Sequence, residues 1–286
     1  METLITSITE GQKKQYLRFV EDAAERTLKK TGLDKNGLQT LIEHGDEFQA
    51  EISRLIGNYL RGFVDEEVES SYGYLSGYTK PKGITEQVNI LRQLIPDIGF
   101  ADEKLAEQPL PDNAEGWFAI PRWQSIAKTY EEALQKVLDL IKQQRGIFFS
   151  HREGQLGAKY LRRLERTAEK LEALGEQQKG YDILVVAAQF GLRHRGRSVR
   201  RAREVFMANE FGLGAFEIAC MILTHQDRLA DHDDLWIDCA GDEHASDGGD
   251  GFSGAPSFII INRVGFISDW VGCAHRLSGS ASAFLP

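Results

Sequence analysis

The amino-acid sequence predicts an α+β protein, with a mainly helical N-terminal part packed on a C-terminal part that holds a small mixed β-sheet. Apolar residues recur at helical spacing through most of residues 1–178. Near residue 180 this periodicity gives way to short apolar runs separated by glycine, aspartate and serine, which is typical of strands and turns. We therefore divide the chain into a predominantly α-helical part, 1–178, and an α+β part, 179–286.

Size and composition indicate an ordinary globular protein. The chain has 286 residues, of which 42% are hydrophobic and 27% are charged. No apolar run reaches the roughly 20 residues that a transmembrane helix needs, and the N-terminus lacks the basic and apolar regions of a signal peptide. The three cysteines form no C-x-x-C pair, which favours a reducing compartment. We expect a cytoplasmic protein with no membrane partner, and the sequence does not indicate an oligomeric state.

The N-terminal part reads as a series of amphipathic helices joined by irregular segments. Apolar residues at helical spacing predict helices at 10–31, 37–61, 85–95, 125–145 and 155–178. Gly32 is expected to end the first of these helices. The stretch 64–83, rich in tyrosine, serine and glycine, predicts an irregular crossing segment. The proline-bounded run 116–123 predicts an anchored, buried connection.

The C-terminal part contains short apolar runs that read as strands. Ile183–Ala188 is a short β-branched run, as expected of a strand buried on both faces. The pattern of Leu213–Leu223 fits a helix or a strand equally well. Leu235–Cys239 predicts a strand, and Phe258–Ile261 with Val264–Ile267 predicts a hairpin.

A glycine-flanked arginine loop lies between the first of these strands and the next helix. Six arginines fall within residues 193–203 of a chain whose net charge is -9. Ser198 is expected to cap the helix. Each exposed cation in the first turn destabilises a helix by about 0.3–1 kcal/mol, because it lies at the positive end of the helix dipole. A bound anion would make these cations stabilising, because the arginines and the free backbone N–H groups would both bind it. Gly191 and Gly196 would allow the backbone to approach the anion closely. The glycine spacing also matches a P-loop, with Arg197 at the lysine position, although one short pattern is weak evidence.

The leading functional hypothesis is therefore a protein that binds a phosphate-containing ligand, either nucleic acid or a phosphorylated small molecule. The alternative for the same residues is a solvated basic face that pairs with the acidic segment downstream, in a structural or interaction protein. The predicted contact residues are Arg193, His194, Arg195, Arg197, Ser198, Arg200 and Arg201.

Carboxylates crowd the segment 227–250, and three of them suggest a metal site. Asp238 follows a predicted strand, and Asp242 and Glu243 come shortly after it. Carboxylates at strand ends hold Mg²⁺ in many phosphoryl-transfer sites, so a second functional alternative is a metal-dependent phosphoesterase or nucleotide hydrolase. Its cofactor would be Mg²⁺ or another divalent cation. Ordinary turn chemistry explains the same residues, and a zinc site is a third interpretation, with ligands Cys239, His244, Cys273 and His275.

Nucleophilic catalysis has little support in the sequence. No G-x-S-x-G pattern occurs, and the cysteines lie in apolar contexts that are typical of inert thiols. The sequence therefore leaves open whether the chain is an enzyme.

Four longer motifs together resemble a family of uncharacterised bacterial proteins. The resemblance implies a bacterial-type cytoplasmic protein and assigns no functional residue. The motifs are GWFAIPRW at 116–123, QFGLRHRGRSVRRARE at 189–204, DLWIDCAGDE at 234–243 and GSASAFLP at 279–286.

Overall fold

The computed structural model describes residues 10–32, 34–49, 52–53, 66–146, 148–245, 248 and 251–285, and the chain divides into two compact units, 1–60 and 61–286. In the first unit, helix α1 spans Glu10–Thr31 and helix α2 spans Lys35–Glu43, and residues 45–49 are also helical. Gly32 has a φ of 61° and follows α1, as predicted. The predicted helix 37–61 is interrupted at His44, and its residues 54–61 lie outside the described part.

The second unit contains helices and two β-sheets, which confirms the predicted α+β class. Its helices are α3 (Ile84–Leu94), α4 (Tyr130–Arg145), α5 (Glu165–Gln177), α6 (Val199–Val205) and α7 (Ala215–Thr224). Its strands are β1 (Gly116–Pro121), β2 (Phe148–Ser150), β3 (Leu161–Arg163), β4 (Ile183–Gln189), β5 (Glu210–Gly212), β6 (Trp236–Asp238), β7 (Asp242–His244), β8 (Gly254–Ile260), β9 (Val264–Trp270), β10 (Ser278–Ser280) and β11 (Ser282–Phe284). No helix in the described ranges has both the length and the apolar character needed to cross a bilayer.

The first sheet is antiparallel and has the strand order β1-β4-β11-β5. Every residue of β4 is buried, as its continuous apolar run predicts. Successive side chains of a strand point to opposite faces. Leu184 and Val186 accordingly join a large core cluster that includes most of α7, whereas Ile183 and Val185 join a smaller cluster with residues of α3.

The second sheet joins β10, β6, β8, β7 and β3 in that order, and β9 pairs with both β8 and β2. The predicted hairpin is confirmed, because β8 and β9 are antiparallel with Ile260 opposite Val264. The predicted strand near 235–239 is also confirmed as β6. This sheet brings β3 beside β7, with Leu161 opposite His244 and Arg163 opposite Asp242.

Two segments that were predicted without strands contribute strands to these sheets. The predicted helix 155–178 is wrong over its first part, because residues 161–163 form β3 and the helix begins only at Glu165. The predicted connection 116–123 contains β1, which pairs with β4. Strands need partners for their backbone N–H and C=O groups, and here the partners come from distant parts of the chain. Residues on both sides of position 178 therefore share both sheets, and the compact units divide near residue 60 instead.

The ambiguous stretch 213–223 forms the buried helix α7. All ten residues of α7 are buried. A helix satisfies most of its backbone hydrogen bonds internally, so it can lie in the core without a neighbouring strand. Its first turn still exposes free N–H groups, and those groups turn out to position the candidate site.

Candidate functional site

The arginine loop follows β4 and leads into α6, in the order that the sequence predicts. Gly191 and Gly196 have φ values of 119° and 74°, which glycine tolerates far better than other residues. The close approach at both glycines is made by the protein's own backbone. The carbonyl oxygen of Gly279 faces Gly191, and that of Val68 faces Gly196. The glycines thus let the loop pack against neighbouring segments.

His194 and Arg193 are held by a buried carboxylate, that of Glu210. Nε2 of His194 lies 2.7 Å from Oε1 of Glu210, and Nε of Arg193 lies 3.2 Å from the same oxygen. Ser282 donates a further hydrogen bond to it at 2.6 Å. Burial opposes ionisation, but the hydrogen bonds from His194 and Ser282 lower the pKa of Glu210 to about 2. Glu210 therefore acts as an internal counter-ion.

Two neighbouring glutamates, Glu66 and Glu67, pair with Arg197 of the loop and with Arg200 and Arg201 of α6. Nε of Arg200 lies 3.1 Å from both carboxylate oxygens of Glu66. Nε of Arg201 lies 2.6 Å from Glu67, and Nε of Arg197 lies 3.6 Å from the same side chain. Glu66 and Glu67 lie upstream of the loop, whereas Nη1 of Arg203, also on α6, lies 3.6 Å from Oε1 of Glu243, in the acidic segment 227–250 that the pairing alternative named.

Ser198 and Arg195 complete the set of predicted contact residues. Oγ of Ser198 accepts a hydrogen bond from the backbone N of Arg201 at 3.1 Å, which confirms the predicted N-cap, and it donates to Glu66 at 2.7 Å. Arg195 is exposed and donates to the carbonyl oxygen of Tyr72 at 3.1 Å. The loop therefore gathers the seven predicted residues, but internal partners engage their polar atoms.

We expect Glu66→Gln to lower the free energy of unfolding by about 1–2 kcal/mol, because it weakens the charge-assisted bonds to Arg200 and Ser198. Glu67→Gln is the matched control. The side chain of Glu67 is 47% exposed, against 20% for Glu66, so solvent screens its ion pairs and the expected loss is smaller than for Glu66→Gln. Urea denaturation of both variants measures the difference. Equal losses would show that Glu66 has no special role.

The three residues predicted to bind a metal have separate partners. The buried carboxylate of Asp238 accepts from Ser257 at 2.9 Å. Asp242 accepts from the hydroxyl of Tyr130 at 2.6 Å, and Glu243 pairs with Arg162 at 2.7 Å.

The structure does not bring these three carboxylates together, because Asp242 and Glu243 alternate across β7. Among the described residues, the one group of three possible ligands that lie close together is exposed and consists of Asp231, His232 and Asp233. The residues of the zinc interpretation are not grouped either: Cys239 is buried, Cys273 is exposed and His244 contacts Ser268.

A different set of ionisable side chains converges at the first turn of α7. We call Tyr130, Arg163, Glu217 and Asp242 the α7 cluster. Nη2 of Arg163 lies 2.5 Å from Oε1 of Glu217, and its Nε lies 3.9 Å from Oδ1 of Asp242. The guanidinium group also lies over the ring of Tyr130, with Cζ 4.4 Å from the centroid. Four elements that are far apart in sequence (α4, β3, α7 and β7) each supply one member.

The free N–H groups of α7 fix the position of two members of the α7 cluster. Oδ2 of Asp242 accepts from the backbone N of Ala215 at 2.7 Å, and the hydroxyl of Tyr130 accepts from the backbone N of Phe216 at 3.2 Å. The N-cap residue Gly214 makes no side-chain cap. Negative charge is favourable at a helix N-terminus, so Asp242 acts as a cap supplied from β7.

Three polar atoms of the α7 cluster lack a hydrogen-bond partner among the described residues. They are Oε2 of Glu217, Oδ1 of Asp242 and Nε of Arg163. A Cβ at Gly214 would lie 2.7 Å from this Asp242 oxygen and 2.8 Å from this Glu217 oxygen, so both oxygens border the same small space. Buried polar atoms are nearly always hydrogen-bonded, and exceptions often mark a functional site. Oε2 is notable because the Glu217 side chain is only 3% exposed.

Burial also alters the proton affinities of the α7 cluster. It raises the pKa of Asp242 to about 6, since the nearby Glu217 reinforces the effect and Arg163 only partly offsets it. Burial and the charge of Asp242 raise the pKa of Tyr130 well above its usual range, so its hydroxyl keeps its proton. Groups with shifted pKa values inside a cleft are candidates for functional residues.

The α7 cluster borders a cleft with a volume of about 760 Å³. Its walls come from the end of β1, from β3 and from the faces of α4 and α5, and they combine apolar and charged residues. The large apolar lining residues are Ile120, Trp123, Leu156, Leu161, Leu171 and Leu184. Tyr130, Arg163 and Glu217 add polar groups on one side. A second, wider cleft of about 1220 Å³ adjoins it and shares Trp123, Glu131 and Leu156.

Sequence reasoning identified one member of the α7 cluster, Asp242, in a different role and missed the other three. Glu217 carries a usable signal, because it is the one charged residue in the apolar stretch 213–223. Arg163 carries no such signal, because it lies among several basic residues of a segment that reads as a solvated helix. Comparison of the chain with protein-family models, with curated proteins and with solved structures finds no match.

Proposed function

We propose that the chain binds a small organic molecule in the cleft beside the α7 cluster. The observation that carries the proposal is Glu217, a buried residue that lines the cleft and whose carboxylate oxygen Oε2 lacks a hydrogen-bond partner among the described residues. Small-molecule sites are typically concave, mostly apolar and supplied with a few convergent polar groups. A volume of about 760 Å³ suits a ligand of that kind.

The charges around Glu217 support a binding role more than a purely structural one. Replacing a buried ion pair by apolar residues is often neutral or stabilising, so a buried pair is weak evidence of selection for stability. Here Arg163 and Glu217 lie at the wall of a cleft, and each keeps an unpaired polar atom. A ligand group that donates to Oε2 of Glu217 would complete the arrangement.

A phosphate-containing ligand at the arginine loop is the less well supported function. An anion at Arg193, Arg200 or Arg201 would have to displace a glutamate that the arginine already contacts, whereas Arg195 donates to the backbone carbonyl of Tyr72. Phosphate contacts make binding weaken steeply with salt. A short oligonucleotide that binds in this way, and fails to bind Arg195→Ala, would favour the loop over the cleft.

Blocking the cleft tests the proposal directly. Ala158 is exposed and lines the cleft, so Ala158→Trp should fill space without disturbing the core. The probes are phenethylamine, phenethyl alcohol and 3-phenylpropanoate, which share an aromatic body and differ in charge. We expect at least one of them to bind the wild-type chain in saturation-transfer NMR, and Ala158→Trp to weaken that binding at least tenfold.

The control is Arg195→Ala, in which the arginine loop changes and the cleft does not. We expect its probe binding to equal that of the wild type. Binding of none of the three probes, or binding that survives Ala158→Trp, would overturn the proposed function.

A further inference from the structure

We infer that the ligand of the cleft is an organic cation, an ammonium or guanidinium group carried on an apolar body. This inference rests on the proposed function and concerns the charge of the ligand. Three features of the cleft favour a cation: the arginines of its wall, the carboxylates of its rim and the unpaired carboxylate oxygen of Glu217.

The arginines that line the cleft already have partners. Arg122 donates from Nε to the carbonyl oxygen of Tyr181 at 2.8 Å and from Nη2 to that of Gln178 at 3.0 Å. Arg162 pairs with Glu243 at 2.7 Å, and Arg163 pairs with Glu217 at 2.5 Å. An anionic ligand would therefore have to compete with Glu243 at Arg162 and with Glu217 at Arg163, whereas the partners of Arg122 are backbone carbonyls.

The carboxylates at the rim of the cleft, unlike its arginines, have no partner among the described residues. Glu131, Glu172 and Glu176 line the cleft and are exposed. Within the described ranges, none of these three side chains has an ion pair or a hydrogen bond. Glu172 and Glu176 lie one helical turn apart on α5, so they present two negative charges on the same face.

The unpaired oxygens of the α7 cluster extend this negative character inward. Oε2 of Glu217 and Oδ1 of Asp242 are acceptors that border one small space. Nε of Arg163 is the one buried donor of the cluster without a hydrogen-bond partner among the described residues, and it lies 3.9 Å from Oδ1 of Asp242. Of these two residues Glu217 lines the cleft, so its unpaired oxygen is the acceptor that a cationic group with several donors would suit.

The remaining walls favour an apolar body attached to that cation. Leucine side chains from four separate segments and the ring of Trp123 line the cleft. Aromatic faces attract cations and pack against apolar groups. The net charge of -9 adds a long-range attraction for a cationic ligand.

Calorimetric titration with the three matched probes tests the inference. We expect phenethylamine, which is protonated at neutral pH, to bind at least tenfold more tightly than phenethyl alcohol, and 3-phenylpropanoate to bind most weakly. We also expect the affinity for the amine to fall as salt is added. Equal affinities, or preference for the alcohol or the carboxylate, would overturn the inference.

Variants of α5 show whether the rim carboxylates produce the preference. The double variant Glu172→Gln/Glu176→Gln is expected to weaken amine binding about 3–10-fold and to leave alcohol binding unchanged. The matched control is Glu169→Gln, an exposed glutamate of the same helix that does not line the cleft, and it should change neither. An equal effect on amine and alcohol would contradict the charge-based explanation.

The outcomes separate this inference from the proposed function. If the alcohol or the carboxylate binds best and Ala158→Trp blocks it, the cleft is a binding site and the inference about the cation is wrong. If none of the probes binds, the proposed function and the inference fail together.

Discussion

Replacing Arg163 with methionine is expected to lower the free energy of unfolding by about 3–5 kcal/mol. Arg163 lies between Glu217 and Asp242, and its side chain is only 14% exposed. Methionine keeps most of the apolar stem but removes the cation, so two buried carboxylates lose their common counter-charge. The loss should be smaller at pH 5 than at pH 8, because burial raises the pKa of Asp242 to about 6 and protonation then relieves the repulsion.

Arg162→Met provides the control for this prediction on the same strand. The side chain of Arg162 is 55% exposed and pairs with Glu243, so its removal should cost less than about 1 kcal/mol. Chemical denaturation of both variants at pH 5 and pH 8 gives the comparison. Similar losses for the two variants, or no dependence on pH for Arg163→Met, would show that the α7 cluster is not held by charge.

Replacing Asp238 with asparagine is expected to stabilise the chain increasingly as the pH rises. Burial raises the pKa of Asp238 from its ordinary value of 3.8 to about 6, and the hydrogen bond from Ser257 only partly offsets this effect. Well below its ordinary pKa of 3.8 the group is protonated in both the folded and unfolded states, so it carries no penalty. Above pH 6 it is ionised in both, and the folded state bears a cost of about 3 kcal/mol.

The amide of Asp238→Asn does not titrate, so its stability relative to the wild type should rise by up to about 3 kcal/mol between pH 4 and pH 7. The difference in the free energy of unfolding between variant and wild type removes the contributions of the other titrating groups. One of these is Glu210, whose lowered pKa makes the fold more stable as the pH rises. Asp97→Asn, at an exposed aspartate, is the control and should show no such trend. Urea denaturation across this pH range measures it. A constant difference would mean that Asp238 does not ionise at a cost in the folded state.

Asp242 and Asp238 are both buried carboxylates, but their surroundings differ. Asp242 has a cation beside it and a helix N-terminus in front of it. Asp238 has hydroxyl groups as its hydrogen-bond partners. The ionised form is therefore stabilised by a neighbouring charge at Asp242 and only by hydrogen bonds at Asp238. Removing the partner of the carboxylate should lower the free energy of unfolding more at Asp242 than at Asp238.

Much of the fold could be predicted from the sequence because the decisive signals are local. The apolar run of β4, the hairpin of β8 and β9 and the N-cap at Ser198 each depend on residues close together in the chain. The strands β1 and β3 were missed for the opposite reason. Leu161–Arg163 has the composition of an exposed helix, and only the pairing with β7 makes it a strand.

The sequence alone determined the α+β class, the strand-loop-helix order around the arginines and the excess of negative charge. The tertiary structure decided which charges meet. It placed Glu66 and Glu67 against the arginines that the sequence presents as an anion site, and it gathered Tyr130, Arg163, Glu217 and Asp242 from four separate elements. Helical and strand periodicity reports which face of an element is apolar, whereas an ion pair depends on distances between elements. Those distances are set only when the chain packs, because the strength of a charge pair depends on separation and burial.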